Sequence, residues 1–154
     1  MRSLNKVVPT DSEFSTSFAS ARVSKAYLAR YYLQALERQA TGEAQPELVP
    51  NTNANEVNLE HVLPQNPSPA WGQIEEELAD ALFNRLGNLA LMKQKINSDI
   101  GNSGFDAKKR MLADSQFELT KKIAVNDNWM PENIETRQNE LAILAIRAWP
   151  ISGF

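Results

Sequence analysis

The spacing of apolar residues predicts helices near both ends of the chain. Thr10 and Glu13 have the form of an N-terminal capping box, and Pro131 stands where the first residue of a helix is expected. Residues at helical spacing follow both signals: Phe14, Phe18, Ile134, Leu141, Leu144, Ala145 and Ala148. The last helix is therefore expected to run from Pro131 to the neighbourhood of Trp149.

A second helix is predicted between Ser24, as its N-terminal cap, and Gly42, as its stop. Its apolar stripe consists of Tyr27, Leu28, Tyr31, Ala35 and Leu36. The spacing of the tyrosines favours a core face over a surface on which bases stack.

Two short strands are predicted in the middle of the chain. Val57 and Leu59 alternate with polar residues in segment 56–62, and segment 86–92 is apolar. Helix signals at 75–83, around 108–110 and at 117–125 surround these strands. The predicted fold class is therefore α+β and mainly helical.

The length of 154 residues suits one domain spanning 1–154. Within it we expect a helical part at 1–42, a loop at 43–55, a central part at 56–112 and C-terminal helices at 113–154. Since no apolar run approaches the roughly 20 residues of a membrane-spanning helix, we expect a soluble, cytoplasmic protein without membrane contact.

The chain contains one histidine and no cysteine. This composition excludes thiolate nucleophiles, cysteine zinc sites and iron–sulfur clusters, and it excludes a site with several histidines within one chain. Any metal must therefore be held mostly by oxygen.

Positive charge is concentrated in one part of a chain whose formal net charge is −3. Segment 85–122 carries eight basic residues against four acidic ones. This surplus suits a polyanionic partner, although an ordinary solvated helix face has the same composition.

The single histidine lies in the sequence Glu60-His61-Val62-Leu63-Pro64. Neighbouring residues on a strand point to opposite faces, so Glu60 and His61 need different roles. One can ligate a metal while the other acts on a water molecule. Asn88 and Asn97 follow in turn-like segments and supply neutral oxygens for a hard cation or for orienting the imidazole.

Four fragments in this order resemble the HNH endonuclease signature in the C-terminal domain of the GmrSD class of type IV restriction enzymes. They are Glu60-His61 with Pro64, Gly87-Asn88-Leu89, Asn97, and Phe105 with Lys108. The resemblance implies a ββα-metal (HNH) motif embedded among flanking helices. It also implies that the chain is a metal-dependent DNA endonuclease that hydrolyses phosphodiester bonds.

The resemblance further implies a role for each site residue. Glu60 and Asn97 would ligate one divalent cation, and His61 would be the general base. Asn88 would hold the His61 ring through its second nitrogen or through a nearby backbone group. Lys108 would contact phosphate, with Lys109 and Arg110 beside it on a basic helix. An all-oxygen shell favours Mg²⁺ or Mn²⁺ over Zn²⁺.

In the family, this domain works with an NTP-using, ParB-like partner domain and restricts phage DNA that carries modified cytosines. Such a partner is expected outside these residues, and pairing of two copies of the chain stays open. The alternative is a non-catalytic module that binds nucleic acid or a partner on a degenerate HNH scaffold.

Overall fold

Helices dominate the computed structural model, which describes residues 8–47, 57–93, 95–96 and 98–151. In chain order the elements are α1 (Asp11–Phe18), α2 (Ala26–Ala40), β1 (Asn58–His61), α3 (Glu76–Phe83), β2 (Leu89–Met92), α4 (Ser98–Gly101), α5 (Phe105–Ala113), α6 (Glu118–Lys121) and α7 (Pro131–Ala148). Short 3₁₀ turns lie at Pro69–Trp71, Leu86–Asn88 and Lys122–Val125. The predicted α+β, mainly helical class is confirmed.

The predicted starts of the first and last helices are confirmed. The Thr10 hydroxyl accepts a hydrogen bond from the Glu13 amide (3.2 Å), and the Glu13 carboxylate accepts one from the Thr10 amide (2.7 Å). Pro131 is the first residue of α7, where its missing N–H costs no helical hydrogen bond. This helix ends at Ala148, directly before Trp149.

The second helix differs from its prediction at the start and on its buried face. Lys25, rather than Ser24, is the N-terminal cap, and it makes no side-chain capping bond. Tyr27 is 60% exposed, so its place in the apolar stripe was wrong. Ala35 and Leu36 of the predicted stripe are buried as expected, and Leu33, which the prediction left out, is buried beside them. Gly42 follows the helix with a φ of +84°, a left-handed conformation that suits the predicted stop.

The two strands pair antiparallel, with Glu60 opposite Ala90 and His61 opposite Leu89. The second strand starts later than predicted, because residues 86–88 form a 3₁₀ turn against α7. A Cβ atom on Gly87 would overlap the backbone oxygen of Ile134 in α7, so only glycine allows this approach.

Alternating residues of β2 enter two separate core clusters. Ala90 and Met92 belong to a cluster beneath the segment that follows β1, whereas Leu89 and Leu91 belong to a cluster formed with the outer helices. The first cluster also contains Val62, Leu63, Trp71, Phe105, Leu112 and Trp129. The second also contains Phe18, Leu33, Leu36, Leu86, Leu141 and Ala145. Because the strand is covered on both faces, its sequence is continuously apolar.

One buried glutamine joins the first helix, the turn before β2 and the last helix. Gln138 of α7 is fully buried, and its Oε1 accepts a hydrogen bond from the Gly87 amide (2.5 Å). Its Nε2 donates to the backbone oxygen of Phe18 (2.7 Å). The contacts across the three segments therefore fix the position of the turn from which Asn88 projects.

Of the predicted loop at 43–55, residues 43–47 contain neither helix nor strand, and residues 48–55 lie outside the described part of the chain. Within the described ranges, no helix is both long enough and apolar enough to cross a membrane.

Candidate active site

Glu60 and His61 end β1 and project to opposite faces of the two-stranded sheet. Glu60 shares a face with Ala90, its partner in the ladder, and His61 shares one with Leu89. Each side chain therefore has its own surroundings. Glu60 faces α5, and His61 faces the end of α3.

The His61 imidazole is half-buried against the last residues of α3. Its ring stacks on Phe83, with the centroids 3.8 Å apart and the planes 10° from parallel. Its Nε2 lies 3.4 Å from Oδ1 of Asn84. Burial is the main reason that the pKa of His61 lies below its usual value of 6.5, and the nearby Lys108 charge acts in the same direction, whereas the Asn84 contact opposes both. The imidazole is therefore neutral at physiological pH.

Lys108 is one of the most deeply buried residues of the protein, with 1% of its surface exposed. Its Nζ lies 2.5 Å from Oε1 of Glu60 and donates hydrogen bonds to the backbone oxygens of His61 (2.7 Å) and Val62 (2.9 Å). It also lies 5.4 Å from the centroid of the Trp71 ring. Burial lowers the pKa of Lys108, and the Glu60 carboxylate partly opposes that shift.

These contacts differ from the phosphate contact that the family resemblance implies for Lys108. The ammonium group is directed into the protein, where it holds Glu60 and the end of β1 in place. The neighbouring residues of α5 are more accessible: Lys109 is half-buried and Arg110 is exposed. Both are therefore available to an anionic ligand.

Asn88 holds the segment that follows Glu60 and His61. Its side chain is fully buried, and Oδ1 accepts hydrogen bonds from the Leu63 amide (2.8 Å) and from Nε1 of Trp129 (3.1 Å). Its Nδ2 donates to the backbone oxygens of Leu63 (2.9 Å) and Phe83 (3.2 Å). Of the two alternatives predicted for Asn88, a contact with a ring nitrogen of His61 or with nearby backbone, the first is not formed, and Asn84 lies beside Nε2 of His61. The side chain bonds to nearby backbone instead.

Asn97, the second predicted metal ligand, lies outside the described residues. Within the described part of the chain, no three residues of the types His, Cys, Asp and Glu come together as a metal site. This finding leaves a smaller site open, since the predicted pair consists of one carboxylate and one amide.

The chemistry of Glu60 fits a divalent cation. Its carboxylate is 15% exposed, and one of its oxygens is paired with the Lys108 ammonium, whose positive charge opposes a cation at that oxygen. Hard cations prefer such oxygen donors. The Lys108 contact uses Oε1, and the second oxygen of the carboxylate lies outside that contact.

Phe83 and Asn84 are the contacts of His61 that the sequence analysis missed. They follow His61 by more than 20 positions, at the end of a short acidic helix, and no local motif marks them. Only the docking of α3 against β1 brings them to the imidazole.

The chain was compared with models of known protein families. A family model described as GmrSD restriction endonucleases, C-terminal domain, matches residues 8–144. The matched range includes both strands, α3 and α5, and thus every residue of the site described above. A comparison with curated proteins gives no significant match.

Proposed function

The chain belongs to the family formed by the C-terminal domain of GmrSD restriction endonucleases, and we propose that it is a metal-dependent DNA endonuclease of the HNH type. The family supports a nuclease function related to restriction. The HNH assignment, the requirement for metal and the role in defence against phage are our proposals. So are the expected NTP-using partner and the cytoplasmic location.

The observation that carries this proposal is the state of His61. The only imidazole of the chain is half-buried, stacked on Phe83 and kept neutral by a lowered pKa. A neutral imidazole accepts a proton near neutral pH, which a general base for hydrolysis requires.

In the proposed reaction, His61 removes a proton from a water molecule whose oxygen attacks the phosphorus of the scissile phosphodiester. The new bond joins the water oxygen to phosphorus, and the bond from phosphorus to the 3′ oxygen breaks. The leaving oxygen takes up a proton from solvent. Asn88 keeps the segment after His61 in place through its bonds to Leu63.

Glu60 and Asn97 would hold the divalent cation, Mg²⁺ or Mn²⁺. When bound, such an ion supplies positive charge for the phosphate and the leaving oxygen. Lys108 holds Glu60 at the rim of the sheet, and Lys109 and Arg110 on the same helix offer positive charge to the DNA backbone.

A nicking assay on supercoiled plasmid tests the proposal. We expect cleavage with Mg²⁺ or Mn²⁺, its loss on addition of a chelator, and a decrease of about 10²-fold or more in His61→Ala. Lys25→Ala, at the exposed start of α2, is the control for a loss of activity that any surface substitution or purification would cause. Cleavage by His61→Ala at the wild-type rate would refute the assignment. DNA binding without cleavage under any divalent metal would favour a non-catalytic module instead.

A further inference from the structure

We propose that Phe83 and Asn84, the residues that end α3, are positioning residues that fix the orientation and the tautomer of the His61 imidazole. The inference rests on the proposed function and adds to it. It assigns the task of holding the base to two residues outside the motif that carries the family resemblance.

Phe83 restricts the tilt of the imidazole ring. The two rings are nearly parallel, at 10°, and their centroids are 3.8 Å apart, so one face of the imidazole is covered. Rotation of His61 about its side-chain bonds would break this stacking. The ring therefore keeps its plane.

Asn84 determines which ring nitrogen carries the proton. Its Oδ1 lies 3.4 Å from Nε2 of His61. An amide oxygen only accepts hydrogen bonds, so this contact is a hydrogen bond when Nε2 carries the proton of the neutral ring, and it favours that tautomer. The lone pair then lies on Nδ1, which is the atom that can take a proton from water.

The backbone oxygens of both residues accept hydrogen bonds from other parts of the fold. The Phe83 oxygen accepts a hydrogen bond from Nδ2 of Asn88 (3.2 Å), and the Asn84 oxygen accepts one from the Val23 amide (2.8 Å). The end of α3 is thus tied both to the turn before β2 and to the segment before α2. Side chains supported in this way can hold a third group with little loss of conformational entropy on binding.

NMR of the imidazole nitrogens tests the inference directly, because the chain has one histidine and its signals need no assignment among several. The protein is labelled with ¹⁵N-histidine and measured without metal or DNA at about pH 8.5, well above the usual histidine pKa. We expect wild type to show a protonated Nε2 and an unprotonated Nδ1. Its ring protons should be displaced from their free-histidine shifts by the Phe83 ring.

Three variants separate the two contacts. Asn84→Leu should mix the tautomers and slow cleavage by a measurable factor of up to about tenfold, the loss that corresponds to one hydrogen bond of ordinary net strength. Asn84→Asp keeps an acceptor oxygen and should keep the protonated Nε2. Phe83→Leu should remove the displacement of the ring-proton shifts, and it tests the stacking even if Asn84→Leu does not fold.

Asn126→Leu is the matched control. Asn126 also ends a helical turn, and its amide donates to the backbone oxygen of Ile123 (2.9 Å), so this variant loses an amide without touching His61. Its imidazole signals should equal those of wild type. Imidazole signals that stay unchanged in Asn84→Leu and Phe83→Leu, or a wild-type proton on Nδ1, would overturn the inference. A wild-type chain that cuts no DNA refutes the proposed function, and that result is independent of these spectra.

Discussion

Replacing Lys108 by Met separates two roles for this residue, a structural cation within the fold and a contact to DNA phosphate. The methionine side chain fills most of the space of the lysine chain but lacks the ammonium group. In the structure, that group donates hydrogen bonds to the Glu60 carboxylate and to the backbone oxygens of His61 and Val62. We expect Lys108→Met to lower the free energy of unfolding and to abolish cleavage as well.

The size of the effect follows from the groups that lose their partner. Two backbone oxygens remain without the donor, and each buried polar group left unpaired costs about 1–3 kcal/mol. The burial that lowers the pKa of Lys108 also means that its charge is costly to desolvate, and the substitution removes this cost. The net loss should therefore be about 2–4 kcal/mol, a large share of the 5–15 kcal/mol typical of a domain.

Urea unfolding followed by tryptophan fluorescence measures this loss. With a typical slope of about 2 kcal/mol per M, the midpoint should fall by about 1–2 M. Lys109→Met is the matched control, because Lys109 is the next residue of α5 but is more exposed, so its midpoint should change little. A second control, Glu60→Gln combined with Lys108→Met, should recover part of the stability, since the neutral amide of Gln leaves no carboxylate charge without its partner.

One result would refute this reasoning. If Lys108→Met unfolds within about 0.5 kcal/mol of wild type, a change within the range of ordinary surface substitutions, the ammonium has no structural role. If the affinity of the same variant for DNA also depends less on salt than that of wild type, Lys108 contacts DNA phosphate, as the family resemblance implies.

Three further predictions address the base, the turn before β2 and the basic helix. Because burial lowers the pKa of His61, the neutral base persists to lower pH, and the cleavage rate should rise through a midpoint below 6.5 and stay level above it; a midpoint at or above 6.5 contradicts this. Gly87→Ala places a methyl group against the Ile134 oxygen and should cost about 2 kcal/mol or more in urea unfolding, so an unchanged midpoint would exclude the close approach. In DNA-binding titrations, Lys109→Gln and Arg110→Gln should each reduce the slope of log K against log salt by about 1, and an unchanged slope would exclude the phosphate contact.

The parts of the fold that sequence predicts well are those decided within a few residues. The capping box between Thr10 and Glu13 spans three positions, and Pro131 acts through its own ring, so both helix starts are local properties. The start of α2 is not local. The backbones of Arg22 and Arg85 form an isolated antiparallel β-bridge, and the Val23 amide donates to the Asn84 backbone oxygen. These contacts keep the segment extended, so the helix begins only at Ala26.

The same distinction explains what could be predicted of the site. Glu60 and His61 are neighbours in sequence, and the alternation of a strand suffices to place them on opposite faces. The partners of each residue come from far along the chain. Lys108 reaches Glu60 across 48 positions, and Asn84 reaches His61 across 23. No periodicity encodes such pairs, because they depend on how α3 and α5 pack against the sheet.

The bridge made by Gln138 also bears on the order in which the protein folds. Its amide joins residues separated by 120 positions, Phe18 and Gln138 itself, and it completes the turn at Gly87. Contacts over such separations form slowly, because the chain between them must first be brought together. During synthesis, this bridge can close only after α7 has left the ribosome. The turn that carries Asn88 thus gains its final support late, and a nascent chain holds His61 without the completed scaffold around it.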